Sequence, residues 1–81
     1  MRPIKQSEAV NHIKRLLQER GLDVPTRNLK QWIIFEYKGK QIGVDTSSGV
    51  WIRELEREWR CLAMPCSVSG AIQAVEFLIL L

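Results

Sequence analysis

The chain has little of what metal or thiol chemistry requires. Among its 81 residues there is one histidine and there are two cysteines, whereas a structural metal site takes about four nitrogen or sulfur ligands. His12 lies far along the chain from Cys61 and Cys66, so neither a metal nor any other cofactor is expected. A bridge between the two cysteines, set close together around Met64-Pro65, would close a trivially small loop, so free thiols with a packing role are expected. Five glycines and three prolines exclude a fibrous or low-complexity chain. No internal repeat and no Gly-rich phosphate loop is present. Long apolar runs are also missing: Phe77 to Leu81 is far too short to span a bilayer. Arg2 and Lys5 lead into a polar amphipathic segment and not into the apolar stretch of a secretory signal. By elimination, the expected setting is cytoplasmic, with no membrane partner.

What is present fits a single small domain over residues 1 to 81. With 46% apolar and 26% charged residues, the composition is that of a folded chain and not a disordered one. At this length about 60 to 65% of the unfolded surface can be buried, so one core must serve the whole molecule. Charge is uneven. Residues 1 to 40 hold nine Lys and Arg against four acids, and residues 41 to 81 hold three against five, giving net charges of +5 and −2 that sum to the overall +3. A basic amino-terminal half points to an anionic partner or simply to solubility.

Ser7 is suited to cap a first helix over about residues 7 to 20, in which Val10, Ile13, Leu16 and Leu17 recur at helical spacing. Gly21 then supplies a left-handed stop, and Leu22 folds back on the last turn. His12 falls on the polar flank, where a solvated side chain is expected. Pro25 makes "LDVPTRNLKQ" a connection, so the first strand should begin near Lys30.

From Trp32 to Tyr37 the chain is dense in β-branched and aromatic residues. A type II′ turn at Gly39-Lys40 would place Tyr37 opposite Ile42 and Phe35 opposite Val44. A second hairpin through "SSG", with Gly49 left-handed, would place Thr46 opposite Val50. Ile33, Phe35, Tyr37, Ile42, Val44, Val50 and Ile52 then share a core face. The other face receives Trp32, Ile34 and Trp51, with Glu36 and Arg53 meeting over Gly43.

Residues 54 to 64 are ambiguous. Ile52, Leu55, Trp59 and Leu62 recur at a spacing that favours a short helix; alternatively, the chain turns at "LERE" and returns as a fourth strand, "EWRCLA". Either form can fold Leu55, Trp59 and Leu62 over the second face, making the tryptophans core. Ser67 is suited to cap a last helix whose main apolar face is Val68, Ala71, Ile72, Val75, Leu78 and Ile79. A second stripe, Gly70, Ala74, Phe77 and Leu81, runs beside it. The fold class expected is α+β: a helix, an antiparallel meander of three strands or four, a short helix or extra strand, and a C-terminal helix.

The element order and the opening "IKRLLQERGLDVP" resemble the double-stranded-RNA-binding domain over residues 9 to 53. That resemblance implies a helix leading into a three-stranded meander and binding to RNA. The family's basic cluster at the start of its second helix has no counterpart in "SVSGAIQA", so its main phosphate grip is missing.

Ser67 and Ser69 have no base at hand, and Glu54, Glu56 and Glu58 alternate with Arg53, Arg57 and Arg60 as a self-paired solvated face. A non-enzymatic module is therefore expected. Its first expected form is a homodimer or a complex with a protein partner built on the stripe Gly70, Ala74, Phe77 and Leu81. The alternative is a nucleic-acid-binding module that uses Lys30, Trp32, Lys38, Trp51 and Arg53.

Overall fold

A computed structural model describes residues 5–80. Seven elements follow one another: α1 (Gln6–Glu19), β1 (Thr26–Leu29), β2 (Trp32–Tyr37), β3 (Lys40–Val44), β4 (Val50–Glu54), β5 (Arg60–Ala63) and α2 (Val68–Ile79). The strands form one antiparallel meander in chain order, with β1 and β5 at its edges. The fold is α+β with the helices at either end of the chain and the sheet between them.

Helix α1 starts two residues before the position expected from a Ser7 cap. Lys5 is the N-cap, its N–H donates to the Glu8 carboxylate at 3.4 Å, and Ser7 is an exposed residue of the first turn. The C-terminal end follows the sequence expectation. Gly21 has φ +76°, its N–H bonds to the Gln18 carbonyl at 2.9 Å, and that of Leu22 reaches the Leu17 carbonyl at 3.0 Å. This is the Schellman arrangement, and it satisfies two carbonyls the helix leaves open.

Strand β1 was not expected. It lies in the segment read as a connection, and Lys30, taken as a strand start, is a turn residue. Lys30 and Gln31 both have positive φ, 51° and 74°, which is a type I′ turn between the paired residues Leu29 and Trp32. The next turn is also type I′, at Lys38 and Gly39 with φ 49° and 81°, one residue earlier than the II′ turn expected. Phe35 therefore faces Ile42 and Ile33 faces Val44. Ser48, not Gly49, takes the positive φ in the following loop, and Val44 faces Val50. Both registers are displaced by two residues from the expected ones. Because strand side chains alternate with period two, the displacement leaves every residue on its expected face.

Of the two forms open for residues 54 to 64, the strand is the one formed, and the helix favoured by the spacing is absent. Strand β5 pairs Ala63 with Val50 and Cys61 with Trp51, with a bulge between. Leu55 is exposed.

Both helices pack on one sheet face. Ala9, Ile13 and Leu17 of α1 and Ala71, Ala74, Val75 and Leu78 of α2 enclose Phe35, Ile42, Val44, Val50 and Ile52 in one core. Ser67 caps α2, accepting the Gly70 N–H at 3.0 Å. At its other end Lys40 Nζ donates to the carbonyls of Phe77 and Leu80, a cation at the negative end of the helix. Among the described residues no helix is long and apolar enough to cross a membrane.

A candidate binding face of three tryptophans

The strand pairings build the other face row by row. Arg27, Ile34, Gly43, Trp51 and Cys61 form one row, and Glu36, Gln41 and Arg53 form the next. No helix lies over them. Tryptophan side chains take that place. Trp32 leans from β2 and Trp59 from the segment leading into β5 until both cover Gly43, where a Cβ would stand 2.9 Å from Trp32 Cε3 and 3.1 Å from Trp59 Cη2. Glycine is required here by close approach. The Trp32 ring centroid lies 5.7 Å from that of Trp51 and 5.4 Å from that of Trp59, within the range of favourable aromatic pairs. Beneath them Ile34 is 1% exposed, while each tryptophan remains half-buried.

Polar groups fix this cluster at its margins. Asp45 accepts from the Trp51 indole Nε1–H at 2.8 Å, and its other oxygen accepts the Ser47 and Gly49 amides at 2.8 Å each. One carboxylate thus shapes the β3–β4 loop and orients a ring. A Cβ on Gly49 would meet that carboxylate at 2.6 Å, so this glycine serves close approach. Arg53 stacks over Trp59 with its guanidinium 4.4 Å from the ring centroid. Gln41, 1% exposed, accepts from Arg53 at 2.6 Å and donates to Glu36 at 2.8 Å. The two-residue displacement of register puts Gln41, and not Gly43, between Glu36 and Arg53. From the neighbouring row Arg27 reaches across to pair with Glu36 at 3.2 Å.

Two clefts open on this face. One, of about 180 Å³, is lined by Leu29, Lys30, Trp32, Ile34 and Trp59. The other, of about 260 Å³, is lined by Pro25, Thr26, Arg27, Ile34 and Glu36. A third, of about 390 Å³, lies toward α2 among Arg53, Arg57, Arg60, Glu54 and Glu58 and mixes both signs of charge. The expected self-paired face is not formed there. Among the described residues Arg57, Arg60, Glu54, Glu56 and Glu58 make no ion pair.

Of the residues proposed for a nucleic-acid surface, Lys30, Trp32, Trp51 and Arg53 share the helix-free face. Lys38 does not; it sits in the β2–β3 turn with its ammonium 5.4 Å from the Tyr37 ring. The stripe proposed as a partner interface is largely consumed within the chain. Gly70 and Ala74 are buried, and a Cβ on Gly70 would stand 2.5 Å from that of Ala63. Phe77 packs against the core beneath Lys40, whose Nζ is 5.1 Å from its ring. Leu81 lies outside the described residues. Val68, assigned to the main apolar face, is instead 68% exposed.

The cysteines are free, but the packing role falls to Cys66. Cys61 is exposed, whereas burial pushes the Cys66 thiol up from its ordinary value. His12 is half-buried, its Nδ1 3.1 Å from an Arg15 nitrogen, and its Nε2 is shut off from solvent without a hydrogen-bond partner. No group of His, Cys, Asp and Glu suited to a metal ion occurs among the described residues.

Sequence reasoning took Trp59 only as cover and did not pick out Asp45, Gln41 or Leu29. The adjacency of Asp45 to "TSSG" is a turn signal, but nothing local announces its bond to Trp51. The chain matches no known family model, no curated protein and no solved structure, so the resemblance to the double-stranded-RNA-binding domain rests on the quoted residues alone.

Proposed function

We propose that the protein is a non-enzymatic, cytoplasmic interaction module whose working surface is the helix-free sheet face, with another protein as partner. One observation carries this reading: three half-buried tryptophans lie side by side on a face that no helix covers. Rigid aromatics flanked by arginine dominate binding energy where proteins meet. Self-association through α2 gives way to this surface because Gly70 and Ala74 are already buried within the chain.

Single-stranded nucleic acid is the second reading. Lys30 at the lip of a cleft and Arg53 stacked on Trp59 favour it, since each stacked base contributes about 1–3 kcal/mol. It ranks second because Arg53 and Arg27 are engaged by Gln41 and Glu36, while Lys14 and Arg15 of the basic half belong to α1, on the other face.

A photo-crosslinking residue at Leu29, compared with one at the exposed Lys14, tests the assignment in cells. Crosslinks to protein from Leu29 and none from Lys14 are expected. Crosslinks confined to Lys14, or nuclease-sensitive products joined by salt-sensitive tryptophan quenching with a short oligo-dT, overturn it.

A further inference from the structure

The two sheet edges differ in a way that bears on how a partner arrives. Strand β5 meets β4 across a bulge, a device that twists an edge away from further pairing. Strand β1 has four consecutive regular pairs with β2 and no bulge, yet all four of its side chains are exposed. Leu29, closing the type I′ turn, is in a hydrogen-bonded pair with Trp32. The alternation that follows turns the amide and carbonyl of Asn28 and Thr26 outward, toward the open edge. Along the same strand the two clefts share Ile34, one lined by Leu29 and Lys30 and the other by Thr26 and Arg27. Of the two cations on this strand and its turn, Arg27 is paired with Glu36, whereas the Lys30 side chain has no partner among the described residues.

We propose that an extended peptide segment of the partner adds to β1 as a sixth strand, with a large apolar side chain leaning over Leu29 into the 180 Å³ cleft and a carboxylate beside it on Lys30. This deepens the reading of the tryptophan face as a protein-binding surface and rests on it. Backbone pairing supplies the affinity, and the cleft and the cation supply the choice of side chains. A carboxylate on the segment is favoured because Lys30, at the lip of that cleft, is a cation without a partner among the described residues. An α-helix, about 10–12 Å across with its side chains, leaves the outward amides of β1 unused.

The test uses twelve-residue peptides selected by display on the whole protein, with amide exchange as the direct readout. The Thr26 and Asn28 amides are expected to exchange rapidly in the free protein and to become protected on binding, and the selected sequences to share an apolar residue flanked by Asp or Glu. Asn28→Pro blocks the edge at a position whose N–H faces solvent, where proline is tolerated. It is expected to weaken binding roughly tenfold or more, with Lys30→Glu weakening acidic peptides several-fold. Binding that leaves both amides unprotected, an enrichment of basic sequences, or a dimer that protects Asn28 by itself overturns the proposal. If Leu29 crosslinks to protein while Asn28→Pro changes nothing, the edge is wrong and the face stands. If neither responds, both readings fall.

Discussion

The two faces of the sheet solve the same burial problem with different means. On one, two helices cover Phe35, Ile42, Val44, Val50 and Ile52 completely. On the other, three tryptophans cover Ile34 and Gly43 and are themselves left half-buried. A helix closes a face by bringing many small contacts along its length. Single large side chains close the floor beneath them and leave their own upper surfaces in water. In an 81-residue chain the first solution is used where stability is made, because one core is all that this size supports. The second leaves an aromatic surface half-open to solvent.

The largest test of that contrast sets Phe35→Ala against Trp32→Ala. Phe35 is fully enclosed, so its removal is expected to cost about 3–5 kcal/mol. Trp32 is the larger side chain but only half-buried, and about 1–2 kcal/mol is expected in its place. Urea unfolding of both variants checks it. Equal losses would make the tryptophan face a second core and remove it as a binding surface.

Asp45 comes next. Asp45→Ala deprives two loop amides and the Trp51 indole of their acceptor, and about 2–3 kcal/mol is expected to be lost. Asp45→Asn keeps the shape while setting one carboxamide atom pair against three donors, so it is expected to lie between the wild type and the alanine variant. The Trp51 indole proton, followed by NMR, reports the loss directly through faster exchange. An unchanged indole resonance in Asp45→Ala would detach the loop from the tryptophan cluster.

How far the sequence discloses these faces can be traced to particular residues. Membership of each face was legible because period-two alternation survives an error of two in register: Phe35 and Ile42 fall inward and Trp32 and Trp51 outward under either pairing. The register itself was not legible. Lys38 and Ser48 take the positive φ where neighbouring glycines made Gly39-Lys40 and Gly49 the apparent pivots. Strand β1 was hidden for the same reason, since Lys30-Gln31 adopts a type I′ turn with neither Asn nor Gly to signal it. The helical spacing through Leu55, Trp59 and Leu62 misled because only Leu62 enters β5, while Leu55 is an exposed turn residue and Trp59 precedes the strand, so tertiary pairing with β4 decided the outcome. At the candidate site Trp32 and Trp51 were visible as outward residues, but the cover by Trp59 over Gly43 depends on pairing across the sheet. In α2 the stripe of Gly70 and Ala74 could be taken either by a second subunit or by residues 54 to 64, and β5, whose Ala63 packs against Gly70, is the one that takes it.

Gly43→Ala sharpens the comparison further, because it disturbs one face only. The added methyl would stand 2.9 Å from Trp32 and 3.1 Å from Trp59, so the rings must move apart at an expected cost of about 1–2 kcal/mol. Near-ultraviolet circular dichroism, dominated by these tryptophans, is expected to change, while the amides of the helix-covered core keep their exchange protection. A variant whose near-ultraviolet spectrum equals that of the wild type would show that the rings do not meet over Gly43.

The smallest effect comes from the two cysteines, which report on the two environments in one experiment. Cys61 stands in the tryptophan row and is exposed; Cys66 is 5% exposed within the core. With iodoacetamide at about pH 8, Cys61 is expected to react at the rate of a free thiol. Cys66 is expected to react only as the fold opens, since the thiolate is the nucleophile and burial disfavours it. The same burial makes stability depend on pH. The folded Cys66 thiol titrates above its ordinary 9.0, so its contribution is complete below that value and is lost as pH rises from there through the folded pKa, because the unfolded thiol ionises first. Replacing Cys66 by Ala is expected to cost about 1 kcal/mol or less and to remove this alkaline loss, whereas Cys61→Ala is expected to leave stability unchanged. Labelling of Cys66 as fast as Cys61 in the native protein would mean that the helix-covered side is open as well, and the difference between the two faces would disappear.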